Sequence, residues 1–222
     1  MFSYIFMKIL ENRPRSYDRL INKASRGHIM SIKKTVVAEL VPADRILDIG
    51  CGTGELTAML AVGGAFVEGF DINAKMVAVA QEKIREENLE KTVSIHQTGV
   101  ESMDGFPDSA YDAVVSTLVF SELSDAERHF TLKHCARILK PDGLILIADE
   151  VVPQKKLKKV LHAIIRLPML LATYLVSRTT SHPITDLAGE ISAAGFTIQK
   201  EIRSHGDSFA LVVGRLEMKD NA

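Results

Sequence analysis

The stretch ILDIGCGTGEL, residues 46 to 56, runs from an apolar segment into an acid and then into three glycines at alternate positions. It reads as a strand, a tight loop and the start of a helix. Gly50, Gly52 and Gly54 carry no Cβ, so they permit positive φ in the turn and let a ligand lie flat on the backbone, with Cys51 as a small turn residue between them. Asp48 stands at the end of the strand. A carboxylate there repels a pyrophosphate and attracts an ammonium or sulfonium group, because opposite charges a few ångströms apart favour each other when partly desolvated. A dinucleotide fingerprint needs its third glycine six positions into the motif, where this chain has Glu55. The expected ligand therefore bears a nucleoside and is cationic near the loop.

The next strand, VEGFDIN at 67 to 73, ends in Asp71, 21 positions after Gly50. That is the spacing at which an acid reaches a ribose, about 20 residues beyond such a loop, and a carboxylate can accept both sugar hydroxyls. Asp71 is assigned that role, with Ile72 beside it; Asn73 is the better helix cap for residues 74 to 87. Further strands are expected at 93–97, in YDAVVSTLVF (111–120) and in LILIAD (144–149). Helices follow the glycine loop, with Gly63-Gly64 as the stop, and follow the capping box Ser124-x-x-Glu127, with Lys140-Pro141-Asp142-Gly143 as the stop. Alternating strands and helices predict a doubly wound α/β sheet. After a helix at 185–195, TIQKEI and FALVVGRL follow with only a short turn region between them, which predicts an antiparallel hairpin.

This combination resembles motif I of the class I S-adenosylmethionine-dependent methyltransferases, and the terminal hairpin is similar to theirs. The resemblance implies a seven-stranded, mostly parallel sheet in a Rossmann-like fold. It also implies S-adenosyl-L-methionine as cofactor, held at its methionine end by Asp48 and the loop from Gly50 to Gly54. Many members carry Gly-Asp-Ala-Glu after the third strand; here the sequence is Thr98-Gly99-Val100-Glu101, so Val100 is expected to offer the backbone contact to adenine, Glu101 matches the glutamate, and Gly99 replaces the acid. Ser116, at the end of the fourth strand, is a further candidate for lining the cleft, since ligands in open α/β sheets bind beyond the carboxyl ends of the strands.

Two segments are additions to this core. PRSYDRLINKASRGHIMSIKK, from 14 to 34, resembles the Tyr-Asp and Gly-x-His signature of quinone-biosynthesis C-methyltransferases. The resemblance implies that Tyr17 covers the cofactor; His28 reads either as facing the acceptor or as an ordinary half-buried histidine. The second addition, KKLKKVLHAIIRLPMLLATYLVSRTTSHP, is basic first and apolar afterwards. Val160 to Val176 is only 17 residues and contains His162, Arg166 and Pro168, short and polar against the roughly 20 apolar residues of a membrane span. Residues 155–177 read as a lid over a hydrophobic acceptor, as a helix packed on the core, or as a peripheral membrane contact through the lysines. The segments SYIFMKILENRPRSYDR, STLVFSELS and TYLV…TTSHP also resemble the corrinoid protein-associated methyltransferases, which implies a corrinoid protein as partner.

The expected organisation is one methyltransferase domain over 1–222. It comprises an N-terminal helical cap (1–40), a cofactor-binding core (41–152), a helical lid or cap (153–183), and a C-terminal helix and hairpin (184–222). With 222 residues, 46% of them apolar, the chain is long enough for one large core. A net charge of −1 gives no basic field for nucleic acid. Cys51 and Cys135 have no metal-ligand spacing, and the opening apolar run is broken by Lys8 and Glu11 before any cleavage signal, so a cytoplasmic setting is expected. Two alternatives to methyl transfer to a small, apolar or cofactor-like acceptor stay open. One is a cofactor-binding accessory or membrane-surface protein without turnover. The other is an NAD-dependent oxidoreductase, which explains Asp71 but not Asp48, Glu55 or the hairpin. Glu122, Asp149 and Glu150 lie near the expected cleft, and none is assigned as a catalytic base.

Overall fold

The computed structural model describes residues 12–40, 45–154 and 184–217. Strands β1 (Arg45–Ile49), β2 (Phe66–Asp71), β3 (Val93–Gln97), β4 (Tyr111–Thr117), β5 (Leu139–Glu150), β6 (Phe196–Ser204) and β7 (Phe209–Leu216) form one sheet in the order β3-β2-β1-β4-β5-β7-β6. The pairings from β3 through β5 are parallel, and β7 runs antiparallel to both its neighbours. The last strand thus slots between β5 and its own hairpin partner, and the short link between β6 and β7 accounts for their antiparallel pairing.

Strand alternation divides the core into two layers. Ile46, Val67, Ala113, Val115, Leu146, Leu211 and Val213 face helices α1 (Pro14–Ala24), α2 (His28–Glu39) and α3 (Glu55–Val62). Leu47, Ile49, Phe70, Val114, Ile145, Ile147 and Val212 face α5 (Asp125–Ile138) and α6 (Leu187–Ala193). Adjacent residues of one strand enter opposite layers, so the central strands are apolar on both sides. Each fully buried aliphatic side chain contributes about 1.5–3 kcal/mol. Helix α4 (Ala74–Glu86) starts at Asn73, whose side chain accepts from the Lys75 amide at 3.0 Å, and α5 carries the expected capping box between Ser124 and Glu127.

Two boundaries differ from expectation. Lys140 to Gly143 ends α5 but also belongs to β5, because Leu139 pairs with Tyr111; the register then shifts before Ala113 meets Leu144, and the intervening residues bulge out with Asp142 at φ +61°. The last helix is shorter than 185–195, since the Asp186 side chain caps it by accepting from the Gly189 amide at 2.9 Å. Residues 1–11 of the expected N-terminal cap, and the segment 155–177 expected as a lid, a packed helix or a membrane contact, lie outside the described residues. The chain leaves for that segment after Gln154 and returns at Ile184, which bridges to Val151 at the carboxyl end of β5. No helix among the described residues is long and apolar enough to cross a membrane.

The order of strands reverses between β1 and β4. Loops leaving their carboxyl ends splay to opposite sides and open a crevice, the place where ligands settle in sheets of this kind.

Candidate functional site

A cavity of about 310 Å³ occupies that crevice, within the size range of small-molecule sites. Its floor is the glycine loop. Gly50, Gly52 and Gly54 all have positive φ (+68°, +56° and +75°), but they do different work. A Cβ on Gly50 would overlap Val119, and one on Gly54 would press on Ala80 of α4 at 3.0 Å. A Cβ on Gly52 would meet nothing within 4 Å, so the space above it is open. Gly52 is therefore the position where a bound group can lie against bare backbone.

Asp71 anchors the loop from β2. Its Oδ2 accepts from the Gly52 amide at 2.9 Å and its Oδ1 from the Asn73 amide at 2.8 Å. Both oxygens are thereby fixed in the wall of the cavity, where a carboxylate can only accept. Ile72, next along the chain, is 73% exposed and lines the same wall, offering an apolar face to a flat ring. Val100 and Glu101 line it from the turn after β3, and Tyr17 from α1. Cys51 is also in the wall, but burial pushes its thiol well above the usual range, which leaves it a packing group rather than a nucleophile.

Three expected cofactor residues lie off the wall. Asp48 is 1% exposed, and its Oδ2 accepts the Thr57 hydroxyl at 2.6 Å; it supports the loop from beneath and does not face the cavity. Burial raises its pKa to about 6, against the opposing pull of the Thr57 bond and the Lys33 charge. Ser116 is turned back into the sheet and donates to the Ile49 carbonyl at 3.1 Å; Thr117 and Leu118 take its place in the wall. Gly54 serves the packing of α3 against α4 and is likewise absent from the wall. Leu118 holds φ +64°, a conformation costing an L residue about 1–2 kcal/mol, and such strain often accompanies a binding site. His28 does not reach the cavity. Its Nε2 lies 3.1 Å from the Ser204 hydroxyl, and its ring packs edge-on against Phe209.

Two residues to which the sequence pattern assigned no role join the site, Asp18 and Lys33. Asp18 accepts the Thr53 hydroxyl at 2.6 Å and pairs with Lys83 of α4 at 2.9 Å, which clamps α1 across the loop. Lys33 lines the wall from α2 and pairs with Glu55 at 2.6 Å. The available signal was Lys33 falling on the apolar face marked by Ile29, Ile32 and Val36. On the far side, Glu122, Leu123 and Glu127 close the cavity. Asp149, fully buried, accepts from the Ser121 amide at 3.0 Å and from the Glu150 amide at 2.6 Å, so it holds the segment carrying Glu122 in place.

Residues 46–143 match the family model of a methyltransferase domain. The chain is 32% identical over 218 residues to the ubiquinone/menaquinone biosynthesis C-methyltransferase of Teredinibacter turnerae, covering 89% of this chain and 86% of that protein. This chain belongs to the class I S-adenosylmethionine-dependent methyltransferase superfamily. The demethylmenaquinone methyltransferase of Lactobacillus johnsonii is 34% identical to this superfamily member over 148 residues, which is 64% of this chain and 59% of that protein. The chain spans about half to two thirds of the length of the first three curated relatives. Among solved structures, a methyltransferase of Methanosarcina mazei superposes with a TM-score of 0.65 at 21% identity, covering 83% of this chain and 98% of that one, a likeness of fold alone.

Superfamily and fold together imply use of S-adenosylmethionine, and the residues present fit that molecule. The space above Gly52 is open, and the Asp71 carboxylate, the exposed Ile72 and Val100 share the wall with it, groups suited to a sugar and a flat ring.

Proposed function

We propose that this chain transfers a methyl group from S-adenosylmethionine to a small, apolar, quinone-like acceptor. The observation that carries the reading is the open space over Gly52 with the Asp71 carboxylate bonded to its amide, at the switch point of the sheet. When bound, the cofactor supplies a methyl group made electrophilic by its sulfonium. The chain's own residues have less to do. Asp71 orients the sugar, the glycine loop removes steric obstruction, and Asp18 clamps α1 with Tyr17 over the cavity, which excludes water. Ile21, Ile29, Leu118, Val119 and Leu123 give the remaining wall an apolar character suited to a ring bearing few charges. The names of the Teredinibacter and Lactobacillus relatives point to the same acceptor class. Glu122 is placed in the wall where an acceptor proton could be received, as a carboxylate ordered indirectly through Asp149.

Calorimetric titration with S-adenosylmethionine and with NAD tests the cofactor, with binding of the former alone expected. Turnover with demethylated quinones, read as release of S-adenosylhomocysteine, tests the acceptor. Binding without turnover on quinones, phenols, lipids and corrinoid-linked acceptors would favour an accessory role.

A further inference from the structure

Among the described residues, the cavity wall carries five carboxylates, Asp18, Asp71, Glu101, Glu122 and Glu127, and a single cation, Lys33. S-adenosylmethionine has the complementary inventory: a sulfonium, an ammonium and one carboxylate. The sugar and adenine end is spoken for by Asp71 and the turn after β3. Lys33 enters from the opposite flank of the glycine loop, on α2, and its ammonium is held 2.6 Å from Glu55 in the first turn of α3.

Lys33 is only 8% exposed, and lysines are seldom buried so far without a reason. Glu55 neutralises it but uses one of its three N–H donors, and no other hydrogen-bond acceptor among the described residues serves the rest. The ammonium is thus fixed in position with donors to spare at the edge of a cavity whose other charged side chains, among the described residues, are all acids. We propose that Lys33 binds the carboxylate of the cofactor's amino-acid tail and that Glu55 is its positioning residue. This assignment rests on the cofactor reading above. A purely structural staple between α2 and α3 would use the same ion pair but would be indifferent to what the ligand carries.

The test compares S-adenosylmethionine with its decarboxylated form, which keeps sulfonium, ammonium, ribose and adenine. Calorimetric titration of the wild-type protein is expected to show roughly 10–100-fold weaker binding of the decarboxylated ligand, the range for one hydrogen bond between charged groups. Lys33→Met is expected to weaken S-adenosylmethionine by a similar factor and to leave the decarboxylated ligand nearly unchanged, so the variant no longer discriminates. Because that change strands Glu55, the double variant Lys33→Met/Glu55→Gln is titrated alongside, with thermal unfolding to confirm the fold of each. Equal affinity of the wild type for the two ligands, or undiminished discrimination in either folded variant, would overturn the assignment. Failure of the wild type to bind either ligand would overturn the cofactor reading itself, and the assignment with it.

Discussion

The carboxylate of Glu101 occupies the space into which a side chain on residue 99 would project, since a Cβ built on Gly99 overlaps Glu101 Oε2. Gly99 has φ −105°, an ordinary extended conformation, so the backbone itself would accept another residue there. In this chain the carboxylate of Glu101 fills the space that a side chain at position 99 would enter. Glu101→Ala is expected to weaken S-adenosylhomocysteine binding roughly 2–10-fold, the loss of one hydrogen bond worth about 0.5–1.5 kcal/mol. Adding Gly99→Asp to Glu101→Ala should restore most of it. Titration of the two variants checks this, and a double variant no better than the single one would refute it.

The glycine loop separates stability from binding. Gly50→Ala must both strain a positive φ and overlap Val119, and is expected to cost about 2 kcal/mol or more in urea unfolding. Gly52→Ala meets no neighbour and should cost only about 1–2 kcal/mol of backbone strain, yet reduce cofactor affinity more than tenfold by filling the cradle. Equal effects of the two on affinity, after correction for folding, would contradict the division.

Asp71 serves the loop and the ligand together. Asp71→Ala leaves the Gly52 and Asn73 amides without their acceptor, an expected loss of about 1–3 kcal/mol of stability. A ligand lacking both ribose hydroxyls should bind the wild type weakly and bind Asp71→Ala no worse than the complete ligand does. Persistent discrimination by the variant would place the sugar elsewhere.

Asp48 makes a pH signature. Its folded pKa is raised to about 6 from 3.8, chiefly by burial, so the folded state takes up a proton before the unfolded state does. The stability this contributes is present below about pH 4 and is lost as the pH rises through 6. Asp149, raised to about 6 for the same reason, adds a contribution of the same sign. Asp48→Asn, which can still accept from Thr57, should flatten the decline in urea midpoint between pH 4.5 and 7 relative to wild type. An unchanged slope would show that Asp48 is not its source.

The fold was legible because its signals are local: the two-sided apolar strands, the Ser124–Glu127 cap and the short link between β6 and β7 each follow from neighbours in the chain. The meeting of Asp71 with the Gly52 loop was legible too, because both lie within one strand-loop unit. Asp48 was not, because nothing in its own strand reveals that Thr57, nine residues on and beyond the loop, would turn back to claim its carboxylate. Lys33 and Asp18 were missed for a related reason. A charged residue on a helix reads as solvated until the helix is docked, and only the docking of α1 and α2 brings Glu55, Thr53 and Lys83 to meet them. The Lys140–Gly143 bulge depends on Tyr111, a partner almost thirty residues away.

The placement of β7 between β5 and β6 governs the order of assembly as the chain emerges from the ribosome. β6 is synthesised first but has no seat until β7 arrives, because its hydrogen-bonding partner comes after it in the chain. Until then β5 presents a bare edge whose inner residues, Ile145 and Ile147, belong to the finished interior. A stalled or shortened product ending in the β6–β7 turn would display that edge to its neighbours, which makes it a natural seed for aggregation and a ready target for chaperones.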